Sequence, residues 1–208
     1  MADYFVDSAA SVSADPYATW ATAATTLGAI QTKGWTNGDT VYVANTHSET
    51  SGAALSYTGP SSQGLKILCV TPNGIAGNSG VATGAVINVG AANAGIITQL
   101  FLYVYGIEFV SGTNNNGACN ILIGGNSQGG HQVYDNCKFT LPTVSAGGLV
   151  QIGSSSFIPF TSLLKDCVFK FGATAQKITF NTFINRIINM SINAAGSTPV
   201  ILFDCPVS

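Results

Sequence analysis

The sequence predicts an all-β chain wound as a stack of about five parallel coils beneath an N-terminal capping helix, and three observations carry that expectation. Gly106-Ile107-Glu108-Phe109, Asp135-Asn136-Cys137-Lys138-Phe139 and Lys165-Asp166-Cys167-Val168-Phe169 place Phe109, Phe139 and Phe169 at intervals of 30 residues, with Cys137 and Cys167 also 30 apart. A second series runs out of phase with the first: Val86-Ile87-Asn88-Val89-Gly90, Ile121-Leu122-Ile123-Gly124 and Val150-Gln151-Ile152-Gly153 each close a short apolar segment with Gly. Two interleaved series of similar period are the mark of stacked coils, not of a globular sandwich. Third, Gly, Asn and Ser clusters such as Gly112-Thr113-Asn114-Asn115-Asn116-Gly117 separate the apolar segments and suit tight corners.

Taken in order, residues 3 to 6 alternate as a short strand, and a Ser/Ala/Asp-Pro loop follows through Pro16. From Thr19 to Thr32 the spacing turns helical, with Trp20, Ala23, Ala24, Leu27 and Ile30 on one face. Gly34 can end this helix, and an open coil end is the surface it would cover. Asn37-Gly38-Asp39 then turns the chain into the strand Thr40-Val41-Tyr42-Val43, and residues 46 to 64 read as loop.

Five coils are expected beyond that point. Lys66 to Val70 with Ala85 to Val89 make the first, Leu100 to Val110 with Cys119 to Ile123 the second, and Gln132 to Thr140 with Leu149 to Ile152 the third. Leu163 to Phe171 with Lys177 to Phe180, and Phe183 to Ile192 with Val200 to Phe203, complete the set. The organisation is therefore an entry region over 1–64 and a coil stack over 65–208. Parallel strands lie about 4.8 Å apart, so equivalent residues sit above one another. Phe109, Phe139 and Phe169 should form an aromatic ladder, and Cys137 and Cys167, two positions earlier, a thiol ladder on the same face.

Charge is scarce. Lys, Arg, Asp and Glu make 8% of the 208 residues against about 25% in an ordinary domain, and the net charge is −2. Such a surface offers no basic patch to nucleic acid and no attraction to anionic lipid. No apolar run approaches the length of a membrane span, and Met1-Ala2-Asp3-Tyr4-Phe5 lacks the basic start and apolar core of a secretion signal. The five cysteines, at 69, 119, 137, 167 and 205, form no close pair. They read as reduced thiols serving as small core hydrophobes in a chain folded in the cytoplasm, not as metal ligands.

Tyr4-Phe5-Val6, Trp20-Ala21-Thr22, Leu27 and Gly38-Asp39-Thr40-Val41-Tyr42-Val43 resemble the entry region of right-handed parallel β-helix proteins of the pectin-lyase-like superfamily. Gly106-Ile107-Glu108-Phe109 and Asp166-Cys167-Val168-Phe169 look like that family's recurring rungs. The likeness covers nearly the whole chain and implies a short right-handed β-helix. Its motifs are structural, so they are silent about activity. Sugar-cleaving members of the superfamily are often secreted, whereas phage tailspikes and capsid decoration proteins fold in the host cytoplasm. The charge-poor, Gly/Ser/Asn/Thr-rich chain is similar to the second kind. The resemblance thus implies a structural virion protein, a capsid decoration or tail component, that forms a homo-oligomer, by family likeness a trimer, and binds other virion proteins. The alternative is a tailspike-like module that binds or cleaves bacterial polysaccharide. With about five coils the chain is shorter than enzymatic members, and Ile201-Leu202-Phe203-Asp204-Cys205-Pro206 brings no polar cap, which leaves a covering partner or a longer parent chain as explanations.

No catalytic, cofactor or metal residues are expected. Glycan hydrolysis needs two carboxylates about 5 to 9 Å apart, and Asp135 and Asp166 are the one pair that stacking could bring together. Two like charges so placed would raise one pKa and make a general acid. They lie two and one residues before their cysteines, however, and so depart from strict register; both read as turn-forming residues. Arg186, the sole Arg, has no acid cluster and reads as a surface or interface residue. His47 and His131 read as exposed loop histidines without the Ser or Cys motif of a triad. No phosphate loop is present.

Overall fold

The computed structural model describes residues 1–62, 64–90, 93–113, 119–124, 130–142, 148–153, 160–173, 175–181, 184–194 and 200–203. The chain is a right-handed parallel β-helix with three faces. It enters through β1 (Asp3–Val6), a 3-10 turn (Trp20–Thr22) and α1 (Leu27–Lys33). The first coil is β2 (Thr40–Ala44), β3 (Ser48–Thr50) and β4 (Leu55–Thr58). The second is β5 (Leu65–Asn73), a hairpin strand β6 (Gly77–Val81), β7 (Ala85–Asn88) and β8 (Ile96–Gln99). The third is β9 (Leu102–Tyr105), β10 (Ile107–Val110) and β11 (Ile121–Ile123). Next come β12 (Gly130–Asp135), β13 (Lys138–Leu141) and β14 (Leu149–Gly153). The fifth coil is β15 (Phe160–Lys165), β16 (Val168–Phe171) and β17 (Lys177–Asn181), and the last β18 (Ile184–Ile188), β19 (Ser191–Ala194) and β20 (Val200–Phe203).

The described strands thus make six coils where the spacing gave about five. Sheet A runs β1-β2-β5-β9-β12-β15-β18, sheet B β3-β7-β10-β13-β16-β19 and sheet C β4-β8-β11-β14-β17-β20. The additional coil lies in residues 40–58, where 46 to 64 was expected to be loop. β2 was expected as a strand, but β3 and β4 are short and largely polar, and the inward residue of β3 is Glu49. That choice hides the period-2 signal on which a strand is recognised.

Inward residues stack as ladders. Phe109, Phe139 and Phe169 are in register across β10, β13 and β16, with ring centroids 5.8 and 5.1 Å apart and interplanar angles of 12° and 20°. Ile87 precedes them and Ile192 follows them in the same file. Tyr134 meets Phe109 and Phe139 edge-on. One continuous apolar core joins these ladders from Tyr4 and Val6 to Phe180.

From the third coil onward, each described turn from sheet A into sheet B uses one left-handed residue: Gly106, Asn136, Asp166 and Asn189 have φ of 74°, 53°, 52° and 53°. Asn and Asp tolerate this conformation through short polar side chains. Gly106 is also sterically required, because a Cβ there would stand 2.1 Å from the Ala82 carbonyl oxygen. Cys137 and Cys167 follow these corners and point inward.

The entry region departs from one continuous helix over 19–32. Ala24 bridges Val6 as a strand residue, taking its N–H to the Phe5 carbonyl and accepting from Asp7 N–H. Thr26, extended at φ −141°, then caps α1 by accepting the Ala29 N–H on its hydroxyl at 3.2 Å. Trp20 therefore lies not on the cap but on the outer face of sheet A, edge-on to Phe5 at 4.8 Å. Leu27 and Ile30 are buried in the core, so α1 does cover the first coil. Asp39 ties the entry together: its carboxylate accepts Ala2 N–H at 2.6 Å and Thr36 N–H at 2.8 Å.

Candidate functional site: the outer face of sheet A and its corner with sheet B

Side chains alternate in and out along every strand, so the register of sheet A sets what its outer face presents. One file holds Thr40, Lys66, Tyr103, Val133, Leu163 and Arg186. The next holds Tyr42, Leu68, Tyr105, Asp135, Lys165 and Ile188. Tyr42 and Leu68 pack against Phe5 and Trp20 of the entry segment, and beyond them Tyr103, Tyr105, Val133 and Leu163, all half-buried, give an apolar and aromatic surface edged by ionic groups. Burial raises the Tyr103 phenol above its ordinary value, and the nearby Asp135 charge adds to it.

Asp135 and Asp166 are not stacked on each other. Asp135 lies opposite Lys165 on the face of sheet A, whereas Asp166 occupies the left-handed corner, one residue further on. Lys165 Nζ stands 3.0 Å from Asp135 Oδ2, 3.3 Å from Oδ1 and 3.7 Å from Asp166 Oδ2. The two acids share a lysine, and Asp166 also accepts Asn189 Nδ2–H at 2.9 Å. The hydrogen bond from Lys165 to Asp135, and then the charge of Asp135, raise the lysine's pKa.

Across the corner, Glu108 accepts from Lys138 Nζ at 2.9 Å and from the Thr140 hydroxyl at 2.7 Å. Sequence reasoning passed over this pair, although the 30-residue register that stacks Phe109 on Phe139 places Glu108 beside Lys138. A groove of about 330 Å³ follows the corner, lined by Gly84, Gly106, Glu108, Asn136, Lys138 and Asp166 among others. Glu108 and Lys138 pair within this groove, and Asp166 meets Lys165 and Asn189 at its margin, so each of these carboxylates faces a cation or an amide donor.

Arg186 is exposed at the rim of the sheet A face, beyond Leu163. His131 is exposed and meets the Thr161 hydroxyl at 2.6 Å. His47 is the correction: it is 1% exposed, inside the first coil. Its Nδ1 accepts Ser8 N–H at 2.9 Å, which places the ring hydrogen on Nε2, facing Glu49 Oε2 at 3.2 Å. The same carboxylate accepts Leu27 N–H at 2.7 Å and Tyr57 O–H at 3.0 Å. Ser/Thr-rich flanks hid this burial, because an inward-facing polar cluster carries no apolar alternation.

Cys69, Cys119, Cys137 and Cys167 are buried and form no disulfide; Cys205, with Asp204 and Pro206, lies outside the described residues, as does most of the 112–117 connector. Burial pushes the Cys167 thiol up to about 11 and raises Cys137 further. Among the described residues no three His, Cys, Asp or Glu side chains gather to hold a metal, and no helix is long and apolar enough to cross a membrane. Compared with protein-family models, curated proteins and solved structures, the chain matches none.

Proposed function

We propose that the protein is a structural component of a virion, a phage capsid decoration or tail protein, that works through assembly contacts. One observation carries the reading: the outer face of sheet A presents an apolar and aromatic surface formed by Tyr103, Tyr105, Val133 and Leu163, continuous with Tyr42 and Leu68 beneath the entry segment. Aromatic anchors ringed by polar groups are the composition of a protein contact. The pairing of Asp135, Asp166 and Glu108 with lysines agrees with a static surface, since those acids are spent on fixed ion pairs. The low charge lets such faces approach one another without repulsion, and symmetric contacts of this kind build a homo-oligomer.

The second reading, a polysaccharide-binding or polysaccharide-cleaving module, is favoured by one detail: Tyr103 and Tyr105 sit beside Asp135. Sugar rings stack on such tyrosines. The two readings part on experiment. Assembly predicts a particle-bound or oligomeric state in negative-stain images and no turnover of bacterial surface polysaccharide. Cleavage abolished by Asp135→Asn or Asp166→Asn would replace it with the enzyme reading.

A further inference from the structure

The outer face of sheet A carries opposite charges at its two ends. Its first outward file begins at Asp3 on β1, opposite Thr40, and runs through Lys66, Tyr103 and Leu163 to Arg186 on β18. Asp3 and Arg186 are both exposed, and among the described residues neither enters an ion pair. Six strand spacings of about 4.8 Å hold them roughly 29 Å apart, several times the screening length of about 8 Å at physiological salt. They cannot meet within one chain. The relief of the face is uneven as well. Ala10 and Trp20 of the entry segment pack on Phe5, Tyr42 and Leu68 and raise the end nearest β1, whereas Arg186 marks an exposed end at β18.

We propose that this face docks on the same face of a second copy of the chain with the two coil axes antiparallel, so that Asp3 of each copy meets Arg186 of the other. The twofold axis then runs along β9, the middle strand of the file. Tyr103 and Tyr105 on that strand meet their own counterparts at the centre of the contact, where aromatic anchors contribute most. Charge selects both the partner and the orientation. A twofold contact sets one surface against itself, and of the two arrangements that align the coil axes, the antiparallel one brings the acidic end to the basic end at both rims. The parallel one sets Asp3, Lys66 and Arg186 each at the level of its own counterpart, and like charges so juxtaposed oppose association. Antiparallel docking also lays the raised entry end of each copy against the exposed β18 end of the other. The docking rests on the assembly reading and gives it a partner and an orientation.

The test is sedimentation velocity over a concentration series on the native chain, on Asp3→Arg, on Arg186→Glu and on the double variant. Each single reversal places two like-charged pairs at the rims, and the double variant restores both attractions with their signs exchanged. The native chain should form a dimer or an oligomer built of dimers. Either single change should raise the dissociation constant by about tenfold or more, and the double variant should return it to within about threefold of the native value. Both residues are exposed, so the circular dichroism spectrum of every variant should stay native. An oligomer indifferent to the single reversals, or weakened by them without recovery in the double variant, overturns the antiparallel docking and leaves the assembly reading standing. A native chain that stays monomeric at every concentration overturns both and leaves the face to a glycan or a different protein.

Discussion

The Phe139 ring lies between two others, Phe109 on one side and Phe169 on the other, with Tyr134 against its edge and no exposed surface. Removing it leaves a cavity that stacked coils cannot close, because their spacing is fixed by backbone hydrogen bonds. Phe139→Ala should therefore cost about 3 to 5 kcal/mol in chemical denaturation, and a loss below about 1 kcal/mol would put the ring outside the core. The neighbouring thiols give a pH signature. Cys167 titrates near 11 in the folded chain against an ordinary 9.0, so between those values the unfolded state releases a proton that the folded state keeps. Its contribution to stability is complete below pH 9.0 and is lost as the pH rises through about 11. Cys137 acts in the same direction, and both should resist alkylation without denaturant at neutral pH. Rapid native-state labelling, or stability unchanged across that alkaline window in a comparison with Cys167→Ala, would contradict this placement.

At the scale of elements, the rungs with strong spacing were legible, and so were β1, β2 and a cap ending at Gly34, whereas β3, β4 and the break before α1 were not. The Phe and Cys intervals, together with Gly106, foretold sheet B and its corner, since identical residues at identical spacing stack on one another. β3 and β4 were invisible because Glu49 and Tyr57 turn inward to make a polar cluster where an apolar alternation would have marked strands. The helix reading over 19–32 caught Leu27 and Ile30 but ran through Ala24, whose pairing with Val6 is a tertiary contact that periodicity does not encode. Among the site residues, the lateness of Asp166 relative to Asp135 was visible in their spacing from the cysteines. The tyrosines beside Asp135 were not, because outward positions of a strand differ from inward ones only once register is known. The Glu49 cluster also makes a testable joint: it is the carboxylate that holds α1 to the first coil. Glu49→Ala strands Leu27 N–H, Tyr57 O–H and His47 Nε2–H, three buried donors, and should cost about 2 kcal/mol or more. Faster hydrogen exchange should be confined to 27–33 and the first coil; exchange unchanged there would deny the carboxylate its role.

For the whole molecule, the six coils of the described residues stack three parallel sheets into a prism whose sheet faces meet solvent, with a groove along the corner of sheets A and B. The acids that could have formed a catalytic pair are divided between the face of sheet A and the corner, and each meets a lysine or an asparagine side chain. Lateral surfaces of this kind are suited to contact, and the face of sheet A takes its tyrosines from the first and third coils. The claim that unites these features is that the chain works as an assembled object. Light scattering on the purified native chain across micromolar concentrations tests it most directly. The account predicts a stable oligomer of defined mass; a monodisperse monomer at every concentration would contradict it.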